Sequence, residues 1–342
     1  MAVHRTSHLS TERLALLVAR FAEKRILVIG DMVADEYIIG NPTRISREAP
    51  VLILELSEER TVPGGATNVA VNARTLGADV LLTGVVGNDL PGQRLRQAID
   101  VLGMHQEGLI SDAQRPTSIK TRIMAGSAQL VQQHIVRVDR VDTSEVGEPS
   151  RGQIIAYIQR VLPTVDAVML SDYANGIISP MIITCCLTLA RQLKKVIVVD
   201  SHEKLFRFQG VTALTPNQPE AELTTGMMIT NEDTLNEVGR RLLVGSNAQS
   251  ILLTRGSEGM SLFVAGEGPL HLPIFPLNHH PIEIVDTNGA GDTVAATFTL
   301  ALTAGASFAE AAELANAAAA LTVRRLGCAS NTPQELMDAF HE

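Results

Sequence analysis

The sequence predicts an α/β fold: a doubly wound, mainly parallel sheet with helices on both faces, and a small β-lid beside it. Three observations predict it. Short β-branched runs of nearly continuous apolar character alternate with helical stretches along most of the 342 residues, as strands covered on both faces should. Gly77 and Gly103 fall where helix C-caps belong. Two stretches, about 36–62 and 117–139, break the rhythm and read as extended chain.

The elements follow in order. Residues 25–30 (RILVIG) form a buried strand ending in a glycine, and 79–86, 166–171, 195–200 and 250–254 read the same way. Helical stretches lie near 66–76, 91–102, 150–162, 179–193 and 231–244, which is the alternation of a parallel sheet. Ligands of such sheets bind beyond the carboxyl ends of the strands. The two irregular stretches, the second with a turn near Gly126, are expected to form the lid; the plain alternative is an edge extension of the sheet. No repeat and no low-complexity linker divides the chain, so one domain over 1–342 is expected.

Composition narrows the function. Hydrophobic residues make up 45% of the chain, enough for a core that buries about three quarters of the unfolded surface. No apolar run reaches the roughly 18 residues of a membrane span, and residues 1–10 lack the apolar core of a secretory signal. The three cysteines, Cys185, Cys186 and Cys328, make neither a disulfide framework nor a zinc site. A reducing, cytoplasmic setting is expected. A net charge of −9, aromatics at 3% and no Trp argue against a nucleic-acid partner. There is no Walker-type loop, no G-x-G-x-x-G after the first strand, no H-E-x-x-H and no G-x-S-x-G. His279-His280 reads as a surface loop.

Three motifs carry chemistry. The run 286–293 (DTNGAGDT) precedes an apolar helix. Gly289, Ala290 and Gly291 leave amide N–H groups open to an anion at the positive end of that helix. Asp292 stands beside them, placed to take a proton from a hydroxyl. A glycine-rich helix start with Asp as its cap is the plain alternative. The run 63–68 (PGGATN) opens another helix, where Gly64 and Gly65 allow close approach and Asn68 both donates and accepts. With Asp31 after the first strand, these suggest a polyol pocket. In the run 214–220 (LTPNQPE), Asn217 and Glu220 form either a capping box or a holder of hydrated Mg²⁺, or both.

These motifs resemble, along nearly the full chain, the ribokinase-like (phosphofructokinase-B type) carbohydrate kinases. Gly64-Gly65 through Asn68, with residues 85–89 (VVGND), is similar to the family's N-terminal signature, and 286–292 to its C-terminal one. The resemblance implies ATP and Mg²⁺, and K⁺ near Asp286 and Asn288. It makes Asp292 the base and Gly289, Ala290 and Gly291 the anion hole. It gives the sugar to Asp31, Gly64, Gly65, Asn68, Lys120, Arg122 and Asp172. Asn217 and Glu220 would serve Mg²⁺-ATP, Glu220 through water. Thr254 and Gly256 would line the nucleotide, with Asn316 near adenine.

Residues 43–51, 58–60, 118–122, 171–176 and 316–320 are similar to the kinases of bacterial heptose biosynthesis. That subgroup phosphorylates D-glycero-D-manno-heptose 7-phosphate at C1 and often forms homodimers through the lid. Arg47, Asn175 and the run Ser201-His202-Glu203 depart from its pattern, the last two in place of lysines. Lys120, Arg122, Arg44 and Arg47 are the cations expected to compensate. Another sugar, sugar phosphate or nucleoside acceptor is the alternative within enzymes, and a non-catalytic sugar or nucleotide sensor the alternative outside them. Residues 309–320 read as a tightly packed helix, Cys185-Cys186 as buried, and Cys328 as near the nucleotide end. Arg137 and Arg140 read as surface charges paired with Asp139 and Asp142.

Overall fold

The computed structural model describes residues 9–126, 133–203, 205–277 and 284–341. Helix α1 (Thr11–Ala19) leads to β1 (Arg25–Gly30), which passes through Asp31 straight into β2 (Met32–Ile45). β3 (Leu52–Gly65) returns antiparallel to β2 and runs into α2 (Ala66–Thr75). β4 (Asp79–Gly87), α3 (Leu90–Val101) and β5 (Leu109–Asp112) follow, then β6 (Ser118–Ala125) and β7 (Gln133–Arg140). Next come α4 (Glu148–Val161), β8 (Ala167–Asp172), α5 (Pro180–Gln192), β9 (Val196–Ser201), β10 (Ala213–Leu214), α6 (Gln218–Thr225) and α7 (Glu232–Ser246). The chain closes with β11 (Ser250–Thr254), β12 (Met260–Val264), β13 (Leu270–Leu272), α8 (Ala290–Thr303), α9 (Phe308–Thr322) and α10 (Pro333–His341).

Two sheets result. The main one has nine strands in the order β13-β12-β11-β10-β9-β8-β1-β4-β5. It is parallel from β5 to β11 and antiparallel at the β11–β12–β13 edge. The small one has the order β3-β2-β6-β7 and forms the lid. β1 shows why the apolar runs read as doubly covered. Ile26 and Val28 pack into a cluster with α1, α2, α8, α9 and α10, whereas Leu27 and Ile29 pack into one with α4, α5 and α7. Side chains alternate across a strand, so a strand with helices on both sides is apolar at every position.

The five expected strands and five expected helices are all present within about two residues. Gly77 and Gly103 both have the positive φ of a residue following a helix, at 106° and 63°. The lid is longer at its base than expected, because β2 begins at Met32. His279-His280 lies outside the described residues. Cys186 is buried, but Cys185 on the same helix is half-exposed, because consecutive helical residues point about 100° apart. Asp142 is held by Arg115 rather than by Arg140, while Arg137 pairs with Asp139 at 2.9 Å. Among the described residues no helix is long and apolar enough to cross a membrane.

Candidate active site

The carboxyl ends of β9 and β11, the N-termini of α6 and α8 and the lid strands β6 and β7 enclose a cavity of about 550 Å³. Its floor holds Asp200, Thr215, Asn217, Glu220 and Thr254 and the turn Asp286 to Asp292. Its lid wall holds Lys120, Arg122, His134 and Arg137. An apolar groove of about 200 Å³ adjoins it, sharing Thr254, Thr287 and Gly291. Gly256, Met260, Ile274, Val294 and Asn316 line that groove, and Asn316 Nδ2 donates to the Pro273 carbonyl at 2.7 Å.

Asp292 is the third residue of α8 and is buried. Asn68 Nδ2 donates to its Oδ2 at 2.6 Å, and the Tyr173 hydroxyl donates to its Oδ1 at 2.6 Å. Burial pushes this carboxyl up to about 6, against the two hydrogen bonds that hold it down. A carboxylate with that proton affinity is ionised at neutral pH yet basic enough to accept a hydroxyl proton. Gly289 caps α8 with φ 78°, and a Cβ there would lie 2.8 Å from Asn68 Nδ2. The glycine therefore keeps both the left-handed turn and the Asn68 contact. Thr293 Oγ1 donates to Asn72 Oδ1 at 2.8 Å, which ties α8 to α2 and keeps Asn68 opposite Asp292.

The carboxylate beside the glycine pair is Asp35, not Asp31. Asp31 is buried and accepts from three backbone amides: Tyr173 at 2.7 Å, Asn175 at 3.1 Å and Ile177 at 3.2 Å. Burial, with the Asp172 charge, raises it to about 6. Its oxygens are spent on the loop after β8; Asp35, Gly64, Gly65 and Asn68, like Asp31, lie outside the residues that line the cavity, so the difference is that Asp31 is consumed by backbone amides and Asp35 is not. Asp35 lies 2.9 Å from Arg122 Nη1 and receives the Cys328 thiol at 3.4 Å. Asp35 Oδ1 and Arg122 Nη1 make a close charge contact, yet each lacks a well-directed hydrogen bond. A Cβ on Gly64 would fall 2.6 Å from the Asp35 carboxyl carbon. Gly64→Ala is therefore expected to displace Asp35 and raise the sugar KM about tenfold with the ATP KM unchanged; a wild-type sugar KM in steady-state assays would sink this placement.

Other expected positions are also corrected. Asp172 lies outside the cavity lining, held by Ser201 Oγ at 2.7 Å, Arg207 Nη2 at 3.1 Å and the Ala174 amide at 3.2 Å. It is a carboxylate neutralised in place. Cys328 sits against Asp35 and Asn288 on the sugar side, not at the nucleotide end. Arg44 and Arg47 are exposed toward the lid tip, away from the cavity. Asp286 and Asn288 line the cavity, but Asp286 accepts from the amides of Asn288 and Gly327 at 2.9 Å each. Asn288 Oδ1 accepts from Arg122 Nη2 at 3.3 Å. Both side chains thus shape the turn, each oxygen accepting one hydrogen bond and keeping a further lone pair.

Asn217 and Glu220 form the capping box, with Glu220 Oε2 accepting from the Asn217 amide at 2.8 Å. Glu220 Oε1 meets His202 Nδ1 at 2.5 Å, and that hydrogen bond raises the His202 pKa. Burial and the nearby Glu220 and Asp292 charges raise Asp200. Among the described residues, no group of three His, Cys, Asp or Glu encases a metal. The oxygen set of Glu220, Asn217 and Asp200 instead fits a hydrated Mg²⁺ shared with phosphates. Tyr173 and His202 are functional candidates missed in the sequence. An aromatic inside the turn-like run Ser171 to Gly176 and a histidine in place of a basic motif gave no periodic signal.

Comparison with known proteins bears on the family and the fold. The chain is 38% identical over 325 residues to the bifunctional protein HldE of Geobacter metallireducens, and 40% identical over 328 residues to that of Caulobacter vibrioides. Each match takes in 95% of this chain but only 64% and 65% of those relatives. The fold matches the ribokinase of Arabidopsis thaliana complexed with ribose and ATP, with a TM-score of 0.70 and 20% identity, over 93% of this chain and 99% of that one. It also matches phosphofructokinase-2 of Escherichia coli, with a TM-score of 0.73 and 16% identity, over 93% and 98%. A family model described as pfkB family carbohydrate kinase covers residues 23–335, and the chain belongs to that family.

Proposed function

We propose that this chain transfers the γ-phosphoryl of ATP to the C1 hydroxyl of D-glycero-D-manno-heptose 7-phosphate. The observation that carries the acceptor is the lid wall. Lys120, Arg122, His134 and Arg137 face one cavity, opposite the floor that bears Asp292. Arg122 and Arg137 are paired with Asp35 and Asp139, so the charge this wall offers is the Lys120 ammonium together with spare guanidinium N–H donors, which suit a phosphate-bearing acceptor better than an uncharged sugar. The likeness of residues 118–122 and 171–176 to heptose kinases, and the similarity to proteins named HldE, point the same way.

In this reading the apolar groove takes the adenine, and Asn316 Oδ1 stays available as an acceptor. The amides of Gly289 and Gly291 face the phosphoryl oxygens as charge grows on them, and that of Ala290, which donates to the Thr287 carbonyl at 3.3 Å, must give up that bond to join them. Asp292 takes the acceptor proton while Asn68 and Tyr173 hold the carboxylate still. Asp35 and Arg122 orient sugar hydroxyls with the atoms that lack directed partners. The lid excludes water from the transfer. Bound Mg²⁺ supplies charge neutralisation of the phosphates. A homodimer through the lid belongs to the same reading, supported by exposed Ile45, Val51, Leu52, Leu56 and Val136 on the small sheet.

The test is ADP release with Mg²⁺-ATP across heptose 7-phosphate, sedoheptulose 7-phosphate, fructose phosphates, ribose, fructose and adenosine. Heptose 7-phosphate is expected to exceed every unphosphorylated sugar by at least 100-fold in kcat/KM. A preference for ribose or adenosine would overturn the acceptor assignment.

A further inference from the structure

We propose that Tyr173 is a positioning residue for phosphoryl transfer: its hydroxyl fixes one oxygen of Asp292 while Lys120 and His202 clamp its ring. This rests on the reading of Asp292 as the base. The hydroxyl lies 2.6 Å from Asp292 Oδ1. The Lys120 ammonium stands 4.7 Å from the ring centroid. The His202 ring meets it edge-on at 4.6 Å and a 68° interplanar angle. His202 in turn bonds Glu220 at 2.5 Å. One residue thus touches the base and the lid cation and, through His202, reaches Glu220.

The backbone around Tyr173 is over-determined. Asp31 takes the amides of Tyr173, Asn175 and Ile177, and Asp172 takes that of Ala174. Arg115 donates to the Asn175 carbonyl from beneath. Ala174 is held at φ 61°, a left-handed conformation unfavourable for a residue with a Cβ. Such strain persists only where the surroundings impose it, and it gathers at functional sites. Five hydrogen bonds that fix one short loop make sense if the side chain they present must be placed to a fraction of an ångström. Catalysis by a positioned base has that requirement.

The groups around Asp292 let the role be read. Asn68 and Tyr173 donate to it; Asp35 raises its proton affinity and His202 lowers it by charge, while Asp200 and Cys328 lie within electrostatic reach. Tyr173→Phe keeps the clamped ring and removes only the donor. The expected result is a kcat about 10- to 100-fold lower, the worth of one hydrogen bond to a charged group, with both KM values within about threefold. The Asp292 carboxyl pKa should rise, read by ¹³C NMR of aspartate-labelled protein with the signal assigned through Asp292→Asn. Tyr173→Ala, which also empties the clamp, should be worse and should melt lower. Full turnover and an unchanged Asp292 titration in Tyr173→Phe, with only Tyr173→Ala impaired, would reduce Tyr173 to packing and overturn the proposal. Failure of the base assignment looks different: Asp292→Asn stays active while the NMR shift in Tyr173→Phe remains.

Discussion

Asp292→Asn is expected to lower kcat by about three to four orders of magnitude, with the fold intact and ATP still bound. Removing a positioned base costs roughly 10²- to 10⁴-fold, and this carboxylate is the one at the junction of α8, α2 and Tyr173. ADP release by the variant within tenfold of the native rate would discard Asp292 as the base. The pH dependence follows from the same burial. With a pKa near 6, the base is protonated as the pH falls through that value, so kcat/KM should drop about tenfold per unit below it. Stability runs the other way. A folded-state pKa raised above its unfolded value contributes stability that is present at low pH and lost as the pH rises through 6. Relative to the native protein, Asp292→Asn should therefore gain about 1 kcal/mol between pH 5 and pH 8, measured by urea unfolding. An equal stability difference at the two pH values would show that the carboxyl is not held near 6.

Arg122→Met is expected to be the most destabilising single change in the lid. Arg122 and Asp35 are 6% and 4% exposed and lie 2.9 Å apart. Removing one partner of a buried pair leaves the other uncompensated, at about 3–5 kcal/mol. Asp35→Asn placed on top of Arg122→Met should restore much of that loss, because the stranded charge is gone. A single-variant loss under about 1 kcal/mol, or a double variant no better than the single, would mean that water already screens the pair. The sugar site fails in both cases, so activity cannot stand in for the unfolding measurement.

Much of the fold was legible because its logic is local. Continuous apolar runs such as 196–200 mark strands buried on both faces, and the helices between them carry caps. β12 (MSLFV) carries a buried apolar run broken only by Ser261 and was passed over, whereas the three-residue edge strand β13 and the two-residue β10 are too short to show one. Asp292 and its glycines were legible because a helix start advertises itself in sequence. The error at Asp31 is instructive. A carboxylate after the first strand looked like a ligand, but three backbone amides from 142 to 146 residues away consume it. Asp35 shares an inward face of β2 with Val33 and Tyr37, and a charge among buried apolar neighbours was the available signal. Tyr173 had none, because what makes it matter is a loop held by Asp31 and Arg115, both far away in sequence.

Two of the lid's four joints to the main body have no slack, whereas the other two run through loops at 113–117 and 141–147. β1 reaches β2 through Asp31 alone, and β3 meets α2 with no residue between. The two joints are stitched to each other: Met32 pairs with Gly65, and the Asp31 carbonyl accepts from the Ala66 amide at 3.0 Å. On this side the lid has no loose tether: β2 and β3 enter it as continuous strands, bent by irregularities at Ile39/Gly40 and Pro42/Arg44 on the way to the tip. β2 is about 45 Å long at 3.3 Å per residue, and Asp35 and Gly64 sit close to its pivot. A sugar gripped there pushes at the short end of a lever. Were the lid to pivot there, the exposed tip at 46–51 would travel several times as far as Asp35, so an adjustment at the chemistry would be written largest at the rim of the molecule.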